Sequence, residues 1–290
     1  MSEDEIKKLK TEILELRSQL QTKTFEVSAY QKELLKFSQK LDQLMTQSND
    51  DIQVLNQIHK FLAPTELPQF PGFEFSRKFV YGSKFGGDYF DIFEHEDKMK
   101  FGVLISSATG YAMSALMLSI ILKLSHIMEA KKGMSPSKVM EHLGTELKQL
   151  ASEKDKAQVL YAVIDRREWT FNFCAVGKVQ GFFLLPDGQM QLISSDSDGL
   201  GPALNPTFSE IKLNLEPKTK IVLVTEGLMD ILTRDEMVKI IQNPTLQSPH
   251  DLRNDLLVAA QVKSGLETPL RDQTVVVIEV KDNIIKLAKS

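Results

Sequence analysis

Apolar side chains recur at alternating steps of three and four along the first fifty residues, which is the heptad spacing of a coiled coil. The apolar seam runs from Ile6 to Leu44, contains one charged residue, Lys23, and is not interrupted by Gly or Pro. The pattern predicts a continuous coiled-coil helix over residues 1–50. Because such a seam must be buried, we expect it to pair with a second copy of the chain. The alternative is that the seam packs against the chain's own folded domain.

The heptad register breaks near residues 48–51, and a rotated apolar stripe follows at Ile52, Leu55, Ile58 and Leu62. A segment with three prolines and a glycine, APTELPQFPGFEF, then ends the helix. Residues 51–68 are therefore predicted to form a helical linker and an entry segment. A folded domain is expected over residues 69–282, with a short tail at residues 283–290.

Within the folded domain the pattern changes to short alternating runs separated by Gly, Pro, Asp and Asn turns. These runs predict strands at residues 73–80, 158–165, 168–176, 181–186, 189–194, 208–215, 220–224 and 274–280. Two more strands are expected inside residues 85–112, around a polar turn at residues 94–98. Helical spacing appears at residues 109–132, from residue 135 onward, at 235–242 and at 249–263. The grouping predicts an α+β fold with antiparallel sheets, in which residues 158–194 form one meander of hairpins.

Composition and charge exclude several classes of function. With 35 Lys and Arg against 39 Asp and Glu, the net charge of −4 gives no electrostatic reason to bind nucleic acid or an anionic membrane. Cys174 is the only cysteine, so an intrachain disulfide and a cysteine metal cluster are both excluded, and a core thiol is expected. No apolar run has the length of a signal core or membrane span, so we expect a cytoplasmic protein.

Candidate chemistry begins in FGGDYFDIF, where Asp88 follows two glycines at the start of a predicted strand. The neighbouring predicted strand ends at Ser106 and Ser107 and leads toward a helix. Glycines allow a close backbone approach and hard cations prefer oxygen ligands, so Asp88 suits an oxygen-ligated metal. The strand opposite offers hydroxyls in place of a second carboxylate.

The order of these motifs resembles that of the PPM-type bacterial serine/threonine phosphatases of the SpoIIE/RsbU-like group. The resemblance rests on FGGDYFDIF, GVLISSATGYAMSALM, FNFCAVGKVQGFFLL, VLVTEGLMD and RDQTVVVIEV. It implies a sandwich of two antiparallel sheets flanked by helices. It also implies a pair of Mn²⁺ or Mg²⁺ ions that are held by carboxylates and activate a water molecule for attack on phosphoserine.

Matched to this family, the chain keeps one metal ligand and alters the others. Asp88 keeps its position, whereas Ser107 stands where the family has an aspartate, and Glu226 is one methylene longer than the family residue. At the last motif the first acid of the family's pair is Arg271, followed by Asp272. A fixed guanidinium charge repels a dication, so the resemblance implies a degenerate site.

The spacing of two acids in VLVTEGLMD leaves their role open. Glu226 and Asp230 lie four residues apart on a predicted short helix, where they form either part of the altered site or only a solvated acidic face. We expect Arg271 to pair with Asp88 and Glu226 as a substitute for a metal.

Three functions follow. The leading expectation is a catalytically impaired pseudophosphatase without a cofactor, dimerised by its coiled coil, that binds a protein partner, with a phosphoprotein among the candidates. The alternative is an active phosphoserine/phosphothreonine phosphatase whose Mn²⁺ or Mg²⁺ is held by Asp88, Glu226 and Asp272. The third is a structural coiled-coil scaffold. No catalytic residue is assigned, and enzymatic activity stays open.

Overall fold

The computed structural model describes residues 68–83, 87–109, 133–151, 153–178, 180–243 and 248–281, together with residues 13–17, 19–21, 23, 24, 27, 28 and 32. The chain divides into two compact units, Met1–Asp51 and Ile52–Ser290. Every described residue of the first unit is helical. Four of its predicted seam residues, Ile13, Leu16, Leu20 and Val27, are 41–70% exposed. These described residues agree with a helix, whereas the continuous helix over residues 1–50 and its pairing in a coiled coil stay predictions.

Ten strands form the second unit. They are β1 (Phe73–Val80), β2 (Asp88–Glu94), β3 (Lys100–Thr109), β4 (Lys156–Asp165), β5 (Thr170–Val176), β6 (Gln180–Leu184), β7 (Met190–Ser194), β8 (Glu210–Asn214), β9 (Lys220–Val224) and β10 (Gln273–Val280). Sheet 1 has the order β1-β10-β9-β6-β7, and sheet 2 has the order β2-β3-β4-β5-β8. All neighbours pair antiparallel. The predicted α+β class with two antiparallel sheets is confirmed.

Helices cover the outer faces of both sheets. They are α1 (Pro136–Leu150), α2 (Glu226–Met229), α3 (Arg234–Ile241) and α4 (Pro249–Ser264). Helix α1 packs on sheet 2, while α2, α3 and α4 pack on sheet 1. The predicted helix at 109–132 lies outside the described residues, apart from Thr109, which ends β3. Among the residues that the structure describes, no helix is long and apolar enough to cross a membrane.

The main core lies between the two sheets. Inward-facing residues of sheet 2, including Phe101 and Leu160, pack against Ile221, Val276 and other inward residues of sheet 1. Two further apolar clusters fill the spaces between each sheet and its helices. Cys174 is fully buried in the cluster beneath α1, which agrees with the predicted core thiol. Because both faces of each sheet are covered, the strand ends are the places where polar groups of the two sheets meet.

The predicted single meander over residues 158–194 is wrong. Strands β4 and β5 belong to sheet 2, whereas β6 and β7 belong to sheet 1, so the chain crosses between the sheets after Val176. The crossing begins at Gly177, whose φ of 75° lies in the left-handed region that favours glycine. A Cβ there would also lie only 3.0 Å from the Gln158 side chain. The alternating patterns of both hairpins were visible in the sequence, but their division between sheets was not.

Candidate functional site

Three predicted or neighbouring site residues lie in one row across sheet 2. Asp88 opens β2 and pairs with Ser107 of β3, which in turn pairs with Gln158 of β4. Asp88 is only 2% exposed. The row lies where sheet 2 meets the ends of β9 and β10 from sheet 1, so side chains of both sheets reach Asp88.

Hydroxyl groups surround the Asp88 carboxyl. Thr225 Oγ1 and Thr274 Oγ1, at the ends of sheet 1 strands, donate hydrogen bonds to Asp88 Oδ2 at 2.5 and 2.9 Å. The Ser107 hydroxyl lies close enough to this carboxyl to oppose the rise of its pKa. Thr225 Oγ1 is itself held by the backbone N–H of Thr274 at 2.9 Å. The residue that the resemblance assigns to a metal ligand thus accepts hydrogen bonds from two neutral hydroxyls of the chain, with a third hydroxyl nearby.

Asp272 has a structural role in the backbone around Asp88. Its carboxylate accepts hydrogen bonds from the backbone N–H groups of Gly82, Gly87 and Asp88 at 2.8, 2.9 and 3.4 Å. It is 4% exposed, so this carboxylate leaves no open face toward solvent. Asp272 was a candidate metal ligand for an active enzyme, and in the structure it fixes the segment that leads into β2.

Burial and mutual repulsion change the ionisation of these two acids. Desolvation raises the pKa of Asp88 well above its usual range, and the nearby Asp272 raises it further, while the hydroxyl donors oppose the change. Burial also raises the pKa of Asp272, against the three backbone donors that favour its charged form. Both acids therefore hold a proton more readily in the folded chain than in water.

Arg271 binds the two acids of α2. Its Nη1 atom lies 2.9 Å from Glu226 Oε2 and 3.2 Å from Asp230 Oδ2. The N–H is directed at Asp230, so the contact with Glu226 is an ion pair whose buried oxygen has no hydrogen bond. The side chain of Glu226 is only 16% exposed, so this pair is more than a solvated acidic face.

The expected pairing of Arg271 with Asp88 is wrong, while its pairing with Glu226 is present. Asp272 turns inward to the backbone at Gly87, and its neighbour Arg271 extends instead toward α2. Asp88 accepts its hydrogen bonds from hydroxyl groups and not from the guanidinium. The two halves of the predicted site are therefore stabilised by different means.

A glycine brings the two acids to Arg271. Gly227, the second residue of α2, lies so close to the start of β10 that a Cβ would sit 2.0 Å from the carbonyl oxygen of Asp272. The Gln273 side chain adds a hydrogen bond to the carbonyl oxygen of Gly227 at 3.3 Å. Close backbone approach at Gly227 thus places Glu226 within reach of Arg271.

These residues do not fit the metal pair that the resemblance implies. Ser107, a neutral hydroxyl, stands opposite Asp88. The Asp272 carboxylate accepts hydrogen bonds from backbone N–H groups, and a guanidinium occupies the last ligand position. In the described ranges no group of three or more His, Cys, Asp and Glu side chains is arranged to hold a metal ion.

Thr225 and Thr274 were not predicted from the sequence. A hydroxyl at a strand end has no characteristic spacing, and threonine is common in strands. The only available signal was their position inside the quoted motifs, where Thr225 precedes Glu226 and Thr274 follows Asp272 by two residues.

Replacing Asp88 by Asn should make the protein relatively more stable as the pH rises. In the wild type the folded state keeps a proton on Asp88 above the unfolded pKa of 3.8, so its free energy of unfolding falls as the pH rises toward the raised folded pKa. The Asn variant has no carboxyl group at this position, so its free energy of unfolding does not fall with pH for this reason. Urea unfolding in EDTA at about pH 5 and about pH 8 should show the difference, variant minus wild type, increasing with pH. A decrease would mean that the folded state needs Asp88 ionised.

Replacing Arg271 by Asp should destabilise the protein in metal-free buffer. The change removes the cation shared by Glu226 and Asp230 and adds a third carboxylate beside them. For this partly buried cluster we expect a loss of about 1–3 kcal/mol in urea unfolding. Arg271→Lys keeps the charge and should lose less. If the Asp variant unfolds like the wild type, Arg271 does not hold the cluster together.

The Stage II sporulation protein E (SpoIIE) family model matches residues 97–281, more than half of the chain. The match begins after Asp88, so the placement of that residue depends on the motif and on the geometry of β2. A search of curated protein sequences finds no significant match.

Solved structures share the fold at low sequence identity. RsbX in complex with magnesium is 14% identical with a TM-score of 0.59, and the alignment covers 74% of this chain and 99% of that chain. The RsbU and RsbW domains of Rv1364c from Mycobacterium tuberculosis are 18% identical with a TM-score of 0.64, covering 75% of this chain and 64% of that one. The PP2C phosphatase domain of SpoIIE from Bacillus subtilis, with a fragment of its regulatory domain, is 16% identical with a TM-score of 0.63, covering 74% and 64%.

The family match and the shared two-sheet fold agree with the arrangement of β2, β3, β9 and β10 around the site. The SpoIIE family and these structural neighbours are PPM-type phosphatases, a group that uses Mn²⁺ or Mg²⁺. The chain belongs to the SpoIIE family and contains a PPM-type bacterial serine/threonine phosphatase domain.

Proposed function

We propose that this chain is a pseudophosphatase, a non-catalytic member of its family that binds a protein partner and is dimerised by its N-terminal coiled coil. The observation that carries the proposal is the position of Arg271, which joins Glu226 and Asp230 where the family resemblance requires a metal ligand. A single charge-reversing residue at a ligand position is enough to prevent the binding of two dications.

Without a metal pair, the site has no efficient way to form a nucleophile. A metal ion lowers the pKa of a bound water molecule far below that of free water, to about 7, and free water lacks that activation. The Glu226 carboxylate is ion-paired with Arg271 at 2.9 Å, so it is not placed as a free base beside a water molecule. Asp88 is buried and bound by hydroxyls, so it does not face a water molecule that it could deprotonate.

The retained fold supports a role in binding. Hydrogen bonds among Asp88, Thr225 and Thr274 join the two sheets, and this stabilising role requires no catalysis. A phosphoprotein is the partner class that we propose, since the domain belongs to a family of protein serine/threonine phosphatases. In this view the domain recognises the partner's surface and leaves its phosphoryl group in place.

Dimerisation is supported by the exposed seam of the N-terminal helix. Leu16 and Leu20 are 58% and 70% exposed within one chain, and they lie on the same face as Ile13 and Val27. A helix with such a stripe is stabilised when a second copy buries it. The dimer would present two phosphatase-like domains to a partner.

Phosphatase assays test the absence of catalysis. With a phosphoserine peptide and Mn²⁺, full-length protein should release phosphate no faster than the Asp88→Asn variant, and EDTA should change neither rate. The expectation follows from the loss of metal ligands at Ser107 and Arg271. Mn²⁺-dependent turnover that disappears in the Asp88 variant would instead establish the active phosphatase.

Light scattering after size-exclusion chromatography tests the dimer. The full chain should elute as a dimer, and the double variant Leu16→Glu, Leu20→Glu should be a monomer because it places charges in the seam. Leu14→Glu is the matched control, since Leu14 is 68% exposed but lies off the seam. A wild-type monomer, or equal dissociation by the control, would contradict dimerisation through this helix.

A further inference from the structure

A small cavity lies beside the altered site, between sheet 2 and the start of α2. Its walls include Ser107, Gln158, Thr225 and Glu226 together with Lys178. Its volume is about 10 Å³, which is enough for one water-sized group. The cavity therefore has room for a single ammonium group or a single water molecule.

Two acceptor oxygens of residues in this wall form no hydrogen bond, although one of them, Glu226 Oε2, is ion-paired with Arg271 at 2.9 Å. Gln158 Oε1 and Glu226 Oε2 are both buried from solvent and form no hydrogen bond. They come from different sheets, since Gln158 lies on β4 and Glu226 follows β9. Buried acceptors without a donor are uncommon in folded proteins because each loses its hydrogen bonds to water. A group that donates to both oxygens would remove this cost.

The charges around the cavity favour a cation over a neutral donor. Glu226 and Asp230 carry one negative charge each and Arg271 carries one positive charge, so the cluster has a net charge of −1. A water molecule would satisfy the oxygens but leave this charge unbalanced. One further positive charge would make the cluster neutral.

Lys178 has the position and the chemistry to supply that charge. It lies on the cavity wall, its side chain is exposed, and within the described part of the chain it makes no ion pair. It follows Gly177, whose backbone packs directly against the Gln158 side chain. A lysine ammonium has three N–H donors on a flexible stem, and its tether gives it a high effective concentration at the cavity.

We propose that Lys178 is a second internal cation of this site, and that its ammonium enters the cavity and donates hydrogen bonds to Gln158 Oε1 and Glu226 Oε2. Arg271 and Lys178 then provide two positive groups of the chain itself in a site whose family relatives use metal ions. The bridge links β4 of sheet 2 to α2 on sheet 1. When the ammonium turns outward, as in the described structure, it is available to an anionic group of a partner. The inference rests on the metal-free site of the proposed function.

Amine labelling in EDTA tests the position of the ammonium. Full-length protein is treated with formaldehyde and a borane reductant, and methylation of each lysine is followed by peptide mass spectrometry. Lys138, an exposed lysine on α1, is the matched reference. We expect Lys178 to react about fivefold more slowly than Lys138, which corresponds to an inward ammonium for about four-fifths of the time.

Two variants separate this bridge from other causes of protection. Gln158→Met removes one acceptor and leaves the pair of Arg271 and Glu226 in place, and it should raise the Lys178 rate toward that of Lys138. Glu226→Gln should do the same. Equal rates for the two lysines in the wild type, or slow labelling of Lys178 that neither variant changes, would overturn the proposal. The labelling assay does not measure catalysis, so a negative labelling result would leave the proposed function intact. Phosphate release in the phosphatase assay would contradict the proposed function without changing the labelling rates measured in EDTA.

Discussion

The junction of the two sheets depends on a buried pair of carboxyl groups that must be satisfied by the chain itself. Asp88 of sheet 2 accepts hydroxyl hydrogen bonds from Thr225 and Thr274, which lie at the ends of sheet 1 strands. Asp272, at the start of β10, accepts backbone N–H groups from the segment that enters β2. Buried polar groups are costly unless they are hydrogen-bonded, so these bonds determine how the strand ends meet. In a metal-dependent relative, cations would supply part of this compensation.

In this chain two separate devices satisfy the acids. Around Asp88, neutral hydroxyls and a raised pKa remove the need for a positive charge. Around Glu226 and Asp230, the guanidinium of Arg271 supplies the charge directly. Each device satisfies an acid that a metal would bind in a metal-dependent relative. This consistency between the halves of the site supports the view that the chain keeps the phosphatase fold for binding.

The sequence predicted the elements better than their assembly. The pattern of apolar runs and polar turns predicted β1 and β9 with their observed bounds and the others within a few residues, because buried strands are short apolar runs bounded by turn residues. It did not divide the hairpins around Gly177 between the two sheets, since the pattern within a strand carries no information about which sheet it joins. The crossing became evident only from the backbone pairing of β5 and β6.

The sequence predicted which acids and hydroxyls form the candidate site, but only part of the contacts between them. Asp88, Ser107 and Glu226 lie together as the motifs indicated, because they occupy the ends of strands that meet. The partners of Arg271 could not be derived in full, since neighbouring side chains at the start of β10 diverge, with Asp272 inward and Arg271 toward α2. Thr225 and Thr274 carry no motif signal of their own, and their role depends on the approach of sheet 1 to Asp88.

Thermal unfolding of the full-length protein with and without Mn²⁺ tests the central claim that this site has replaced its metals. A ligand that binds only the folded state stabilises it by RT ln(1 + [L]/Kd), and this raises the melting temperature. The account predicts that about 1 mM MnCl₂ leaves the melting temperature measured in EDTA unchanged to within about 1 °C. A rise of several degrees that disappears in the Asp88→Asn variant would contradict it, because it would show a metal held by the residue that hydroxyls are proposed to satisfy.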